Sequence, residues 1–328
     1  MSTFIFETQH ALGGLVPLPV RLQVETYGTL NEARDNAVLV CHYFTGTMHA
    51  AGDRPTPGWW NALIGDGRAI DTRRFFVVCM NSLSNVQSLN PQVVTTGPDT
   101  LHDDGEPYGS RFPAWGLGEL FEVQRELMRS LHLTRWYAVV GPSFGGSQAL
   151  QWAARAPELA PRIGAVASSC DAGLGQREVF LPNLRAIAQG GRLEAALLLI
   201  TFYGLGSDGF ARWFEQEDVG AYLRSRSGTA SLVHLLDLGR VVSSHDLSRV
   251  APQEVLFERW RAHGTRLLSI NIRGDLFFPA SVMRAFAGDA LRAGVDHTHV
   301  EIESELGHLA CLQEPEKLAP HLKALLNT

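Results

Sequence analysis

Apolar residues along this chain follow two alternating rhythms. Residues 267–272 and 298–302 read as two late strands, while residues 37–40 leading into Cys41, and residues 75–80, 136–140 and 163–167, are short unbroken apolar runs rich in β-branched or aromatic residues. Runs of this length without polar gaps suit strands buried on both faces, as in a parallel sheet. Residues 18–27 alternate instead, which predicts an antiparallel opening strand. Helical patterns lie between the runs. In residues 117–131, Leu117, Leu120, Phe121, Leu127, Met128 and Leu131 recur at spacings of three and four, with Glu and Arg elsewhere. Residues 147–156 read as a helix stopped by Pro157, and 314–326 as the last helix. Strands alternating with helices predict an α/β fold with a mainly parallel sheet flanked by helices. The stretch 171–261 departs from this rhythm: it is helix-patterned, carries several Trp and Phe, and shows no strand run. It reads as a helical lid inserted over the end of the sheet. The core then divides into a first part, 1–170, and a second part, 262–328.

Composition narrows the function classes. The chain has 328 residues, 45% apolar, with a formal net charge of −6, long enough to bury a large core and too apolar for disorder. Mild acidity with no Lys/Arg cluster argues against nucleic acid or an anionic membrane as partner. The most apolar run, 195–205, is about half of the ~20 residues a bilayer span requires, and the first residues lack the basic and long apolar regions of a secretory leader. Cys41, Cys79, Cys170 and Cys311 sit far apart with no C-x-x-C pair, the pattern of reduced buried thiols in a cytoplasmic protein. No metal is expected. H-E-x-x-H is absent, and His297 and His299, which share a strand face, lack a third ligand beside them.

The strongest local signal is Gly141-Pro142-Ser143-Phe144-Gly145-Gly146, placed after an apolar strand and before a helix. That is the setting of a nucleophile elbow, a turn so tight that the positions two before and two after the nucleophile admit almost no side chain. The serine hydroxyl is then exposed at a helix N-terminus, whose N–H groups favour developing negative charge. A serine needs a base and an orienting acid, in the chain order Ser, Asp/Glu, His. Asp275 follows the strand at 267–272 through Arg273-Gly274, and His308 follows the strand at 298–302, so Ser143, Asp275 and His308 fill the expected slots. Competing acids are Asp171, Asp237 and Asp246; competing histidines are His42, His49, His297 and His299. The oxyanion donors are expected to be the backbone N–H groups of Phe144 and of Phe44, in the loop after Cys41. Arg224 and Arg226 are a candidate anion site for a carboxylate or a CoA phosphate, against the plainer reading of a solvated helix face.

Several stretches together resemble the homoserine O-acetyltransferase family of α/β-hydrolase-fold acyltransferases. They include Thr26-Tyr27-Gly28-Thr29-Leu30-Asn31, Gly58-Trp59-Trp60, Ala69-Ile70-Asp71-Thr72, Pro107-Tyr108-Gly109-Ser110-Arg111-Phe112-Pro113 and the elbow itself. The resemblance is dense over the first half and then continues at Asp275 to Pro279 and Gly307-His308. It implies an α/β-hydrolase fold, a cytoplasmic enzyme of methionine biosynthesis acting on small molecules, and a homodimer. It also implies ping-pong chemistry: an acyl-CoA cosubstrate, with no bound cofactor, acylates Ser143, and an amino-acid hydroxyl takes the acyl group with His308 as general base. Where the family carries an acid directly after the catalytic His, this chain has Leu309. Where its insertion carries arginines, alignment gives Ala196 and Gly204, and a Gly-Gly becomes Ser84-Asn85. These departures keep open an alternative, a serine hydrolase of small esters or thioesters using the same three residues.

Overall fold

The computed structural model describes residues 1–327. One sheet is built from β1 (Ser2–His10), β2 (Leu18–Tyr27), β3 (Ala37–Val40), β4 (Phe76–Met80), β5 (Ala138–Pro142), β6 (Arg162–Val166), β7 (Arg266–Ile272) and β8 (Asp296–Ile302). Their spatial order is β1-β2-β4-β3-β5-β6-β7-β8. From β4 to β8 every neighbouring pair is parallel, whereas β1 with β2 and β2 with β4 are antiparallel. The unbroken apolar runs have a direct cause. In β3 and β5, Leu39 and Val139 enter the core on one face of the sheet, while Val38, Val40, Ala138 and Val140 enter the core on the other. Helices α1 (Leu117–Ser130) and α2 (Phe144–Arg155) cover the first face, where Phe121 meets Trp152 edge-on with ring centroids 4.7 Å apart. The C-terminal helix, Pro315–Asn327, buries Leu318 and Leu322 on the second face.

β1 has no counterpart in the sequence reading. It is an edge strand with only Phe6 buried, so its apolar signal is weak. The elbow boundaries also move: β5 runs on to Pro142 and α2 begins at Phe144, leaving Ser143 alone to reverse the chain.

Residues 171–262 hold α3 (Leu181–Gln189), α4 (Leu193–Trp213), α5 (Val219–Ser227), α6 (Leu232–Ser243) and α7 (Gln253–Ala262), preceded by a π-helical turn, Gly175–Phe180. The apolar run at 195–205 lies in the first part of α4, and a second helical segment follows it across a kink at Gly206, whose φ of 68° and ψ of −179° are not helical. At 21 residues α4 is long and apolar enough to cross a membrane by length and composition. Here it is bent at that glycine and lines an internal cavity. α6 is clamped to the sheet domain by polar contacts. Ser84 Oγ and Trp115 Nε1 each donate to Asp237 at 2.6 Å, and His234 bonds to the Asn85 carbonyl at 3.0 Å and to the Asp99 N–H at 3.1 Å. α7 packs against the core itself: Trp260 is fully buried and its indole N–H donates to the Ala153 carbonyl at 2.7 Å.

Candidate active site

Ser143 turns the chain at φ 56° and ψ −122°, a left-handed conformation costing a non-glycine residue about 1–3 kcal/mol. The surrounding structure enforces it. The Ser143 N–H donates to the Val166 carbonyl of β6 at 2.7 Å. On the other side the end of β3 crowds the turn: a β-carbon at Gly141 would lie 2.6 Å from the Cys41 carbonyl oxygen, and one at Gly145 would lie 2.1 Å from it. The two glycines are thus required by backbone contact, as expected from the tightness of the turn.

Asp275 and His308 arrive from the ends of β7 and β8. The Asp275 carboxylate is wholly buried; one oxygen lies 2.7 Å from His308 Nδ1. Its other oxygen accepts the backbone N–H groups of Phe277 at 2.7 Å and Phe278 at 3.0 Å. A carboxylate only accepts, so Nδ1 carries the ring proton and Nε2 keeps its lone pair. The imidazole is held between Phe277, edge-on at 5.1 Å, and Phe278, tilted at 5.8 Å. Ser143 and His308 line one cavity of about 190 Å³. No hydrogen bond joins Ser143 Oγ to the ring, and such pairs are commonly loose until substrate is bound.

Neither the Phe144 nor the Phe44 N–H has an acceptor among the described residues. The Phe44 loop is held rigid through its carbonyls. His42 Nδ1 donates to the Tyr43 oxygen at 2.7 Å, Gln87 to that of Thr45 at 2.7 Å and Asn85 to that of Gly46 at 2.9 Å. His42 Nε2 accepts from the Ser82 N–H at 2.9 Å. Burial pushes this imidazole down to about 4, so it is neutral at pH 7 and acts as a strut rather than a base.

The other candidates lie elsewhere. Asp237 holds the α6 clamp, and Asp246 caps a short turn by accepting from the Ser248 N–H at 2.9 Å. Asp171 pairs with Asp246 across an isolated bridge. His49 meets buried Glu25 at 3.1 Å, and His297 and His299 both bond to Ser269 Oγ, at 2.9 and 2.8 Å. Among the described residues no group of three or more His, Cys, Asp or Glu is arranged to hold a metal, and all four cysteines are free thiols.

The cavity wall is mixed. Phe180, Leu197, Ile200, Leu309 and Leu312 make it apolar, while Thr45, Gln176, Thr201 and Arg226 are its polar members. Arg226 therefore departs from the solvated-face reading, whereas Arg224 is exposed and directed to Asp218 at 3.6 Å. Gln176, Thr45 and Trp213 had no sequence signature; Tyr222 and Arg226 share a helix face four residues apart, which was readable. Two departures from the family pattern meet in space: Leu309 Cδ1 lies 2.4 Å from where a β-carbon at Gly204 would be.

A homoserine O-acetyltransferase from Sulfurimonas autotrophica is 30% identical over 356 aligned positions, spanning 96% of this chain and 94% of that one. The chain belongs to the homoserine O-acetyltransferase family. It is an enzyme of that kind, with the α/β-hydrolase fold. Among solved structures, the homoserine O-acetyltransferase from Bacillus anthracis superposes with a TM-score of 0.86 at 28% identity, covering 100% of this chain and 97% of that one. Esterase E22 superposes with a TM-score of 0.89 at 28% identity, covering 99% of each. No family model matches the chain.

Proposed function

We propose that this protein is an acyl-CoA-dependent O-acyltransferase that moves an acetyl group to the hydroxyl of homoserine or a related amino acid by way of acyl-Ser143. The observation carrying this reading is the 2.7 Å His308–Asp275 contact beside a left-handed serine on the same cavity. His308 Nε2 takes the Ser143 proton as Oγ attacks the thioester carbonyl. The Phe44 and Phe144 N–H groups hold the oxyanion. Collapse breaks the carbon–sulfur bond, and the proton on His308 passes to the departing CoA thiolate. The acceptor hydroxyl then gives its proton to His308 and attacks the acyl-serine; Ser143 leaves and recovers the proton. No tightly bound cofactor takes part in this scheme, and reduced thiols at all four cysteines fit work in the cytoplasm.

The apolar wall around His308, with Leu309 directly after it, favours a second reading in which water replaces the amino acid and the enzyme hydrolyses small esters or thioesters. Free-thiol release from acetyl-CoA, measured with and without homoserine, separates the two. Acceptor-dependent release is the expected result, and equal release in both would leave hydrolysis. Wild-type turnover by S143A would remove both readings.

A further inference from the structure

The catalytic cavity contains a cation with no anion to answer it. Arg226, on α5, lines the cavity together with Ser143 and His308. Its polar contact is neutral: Nη2 donates to Thr45 Oγ1 at 3.0 Å, and the guanidinium lies 5.6 Å from the Tyr222 ring centre. No carboxylate lies within ion-pair distance of it among the described residues. Nor is Tyr43 its counter-ion, because burial raises that phenol above its ordinary range and keeps it protonated. Arg226 is half-buried, and the donors its guanidinium does not use on Thr45 are free to meet a carboxylate entering the cavity.

A second, independent feature points the same way. Gln176 is 2% exposed, lines the same cavity and donates its amide to the Phe277 carbonyl at 3.0 Å, while its side-chain oxygen has no partner. Trp213, also on the wall, has an unpartnered indole N–H. Gln176 is fixed through Phe277, which packs on His308, and Arg226 through Thr45, which follows the proposed oxyanion donor Phe44. Unanswered polar groups therefore sit on both the imidazole side and the oxyanion side of Ser143.

Building on the acyl-serine reading, we propose that Arg226 binds a substrate carboxylate and thereby selects anionic over neutral substrates. Two sources carry that chemistry: the α-carboxylate of an amino-acid acceptor, or the distal carboxylate of a dicarboxylic acyl group. The Gln176 oxygen supplies an acceptor for the ammonium of the first.

The test compares kcat/KM for charged and neutral substrates in wild type, R226Q and R226K. p-Nitrophenyl acetate is the neutral acyl donor, p-nitrophenyl hydrogen succinate the charged one, and homoserine with acetyl-CoA the charged acceptor. R226Q is expected to lower the ratio of charged to neutral kcat/KM tenfold or more, through KM, with R226K recovering part of it. A fall confined to the succinate ester assigns the carboxylate to the acyl group, and one confined to homoserine assigns it to the acceptor; both support the proposal. R224Q, altering the exposed neighbour, leaves the ratio unchanged. Unchanged ratios in R226Q, or no turnover of either charged substrate by a wild type active on the neutral ester, overturn the proposal. A wild type inactive on every ester and on acetyl-CoA overturns instead the acyl-serine reading beneath it. Thermal melts of R226Q and R226K exclude misfolding as the cause of any fall.

Discussion

Asp275→Asn changes one atom and reverses the polarity of one hydrogen bond. The asparagine side chain has one oxygen where aspartate has two, and both aspartate oxygens are committed: one to the N–H groups of Phe277 and Phe278, the other to His308 Nδ1. Turning the asparagine so that its NH₂ faced Phe277 and Phe278 would set donors against two backbone donors at 2.7 and 3.0 Å. The oxygen therefore stays there and the NH₂ faces the imidazole. His308 must then present a lone pair at Nδ1, which moves its proton to Nε2, the nitrogen required to accept the Ser143 proton. A base held in the wrong tautomer loses about 10⁴ in kcat by the precedent of serine-protease triads, or about 5.5 kcal/mol of transition-state stabilisation at 1.36 kcal/mol per tenfold. Substrate contacts are untouched, so KM stays close to wild type. Stopped-time release of p-nitrophenol from its acetate ester, together with thiol release from acetyl-CoA, reads both constants. A thermal melt confirms that the isosteric variant is folded. If folded D275N turns over within tenfold of wild type, Asp275 does not orient His308 and the proposed acid must be sought elsewhere.

Gly145→Ala is expected to abolish turnover and to destabilise by about 3 kcal/mol or more, since its methyl group would lie 2.1 Å from a backbone oxygen that cannot swing aside; a melt and an ester assay check both. Asp237→Ala removes the acceptor of Ser84, Trp115 and Arg240, leaving a buried indole N–H unanswered, and is expected to cost about 1–3 kcal/mol. Limited proteolysis should then cut within 171–261 before the sheet domain, and unchanged protection would refute the clamp. Burial pulls His42, His245 and His297 down to about 4, below the 6.5 of an unfolded histidine. The unfolded chain therefore binds more protons between those values, so stability is full above pH 6.5 and declines as pH falls toward 4. Urea midpoints between pH 7 and 4.5 test this, and a flat profile would contradict it.

The strands whose side chains go alternately to two cores were legible because burial on both faces leaves no polar gap. β1 was not, because an edge strand with one buried residue carries little pattern. The Ser143 turn was readable from glycines whose necessity is steric and local. Asp275 and His308 could be placed by strand order alone, yet the 2.7 Å between them comes from β7 and β8 lying side by side, which no local pattern encodes. Gln176 illustrates the opposite case: nothing separates it from other helix glutamines until folding sets its amide against Phe277. Arg226 was visible as a charge, but whether it met water or the cavity depended on how α5 is rotated.

Leu309 and Gly204 bear on how such a pocket changes over evolutionary time. The leucine methyl occupies the place a β-carbon at 204 would take, so a larger residue there requires the Leu309 side chain to turn aside. An acid arriving first at 309 leaves a void beside glycine and acquires no cationic neighbour from that position. Residues in such contact are not independent. A lineage exchanging this greasy corner for a charged pair therefore changes two coupled positions: starting at 204 displaces the leucine, and starting at 309 leaves an underpacked, less stable intermediate.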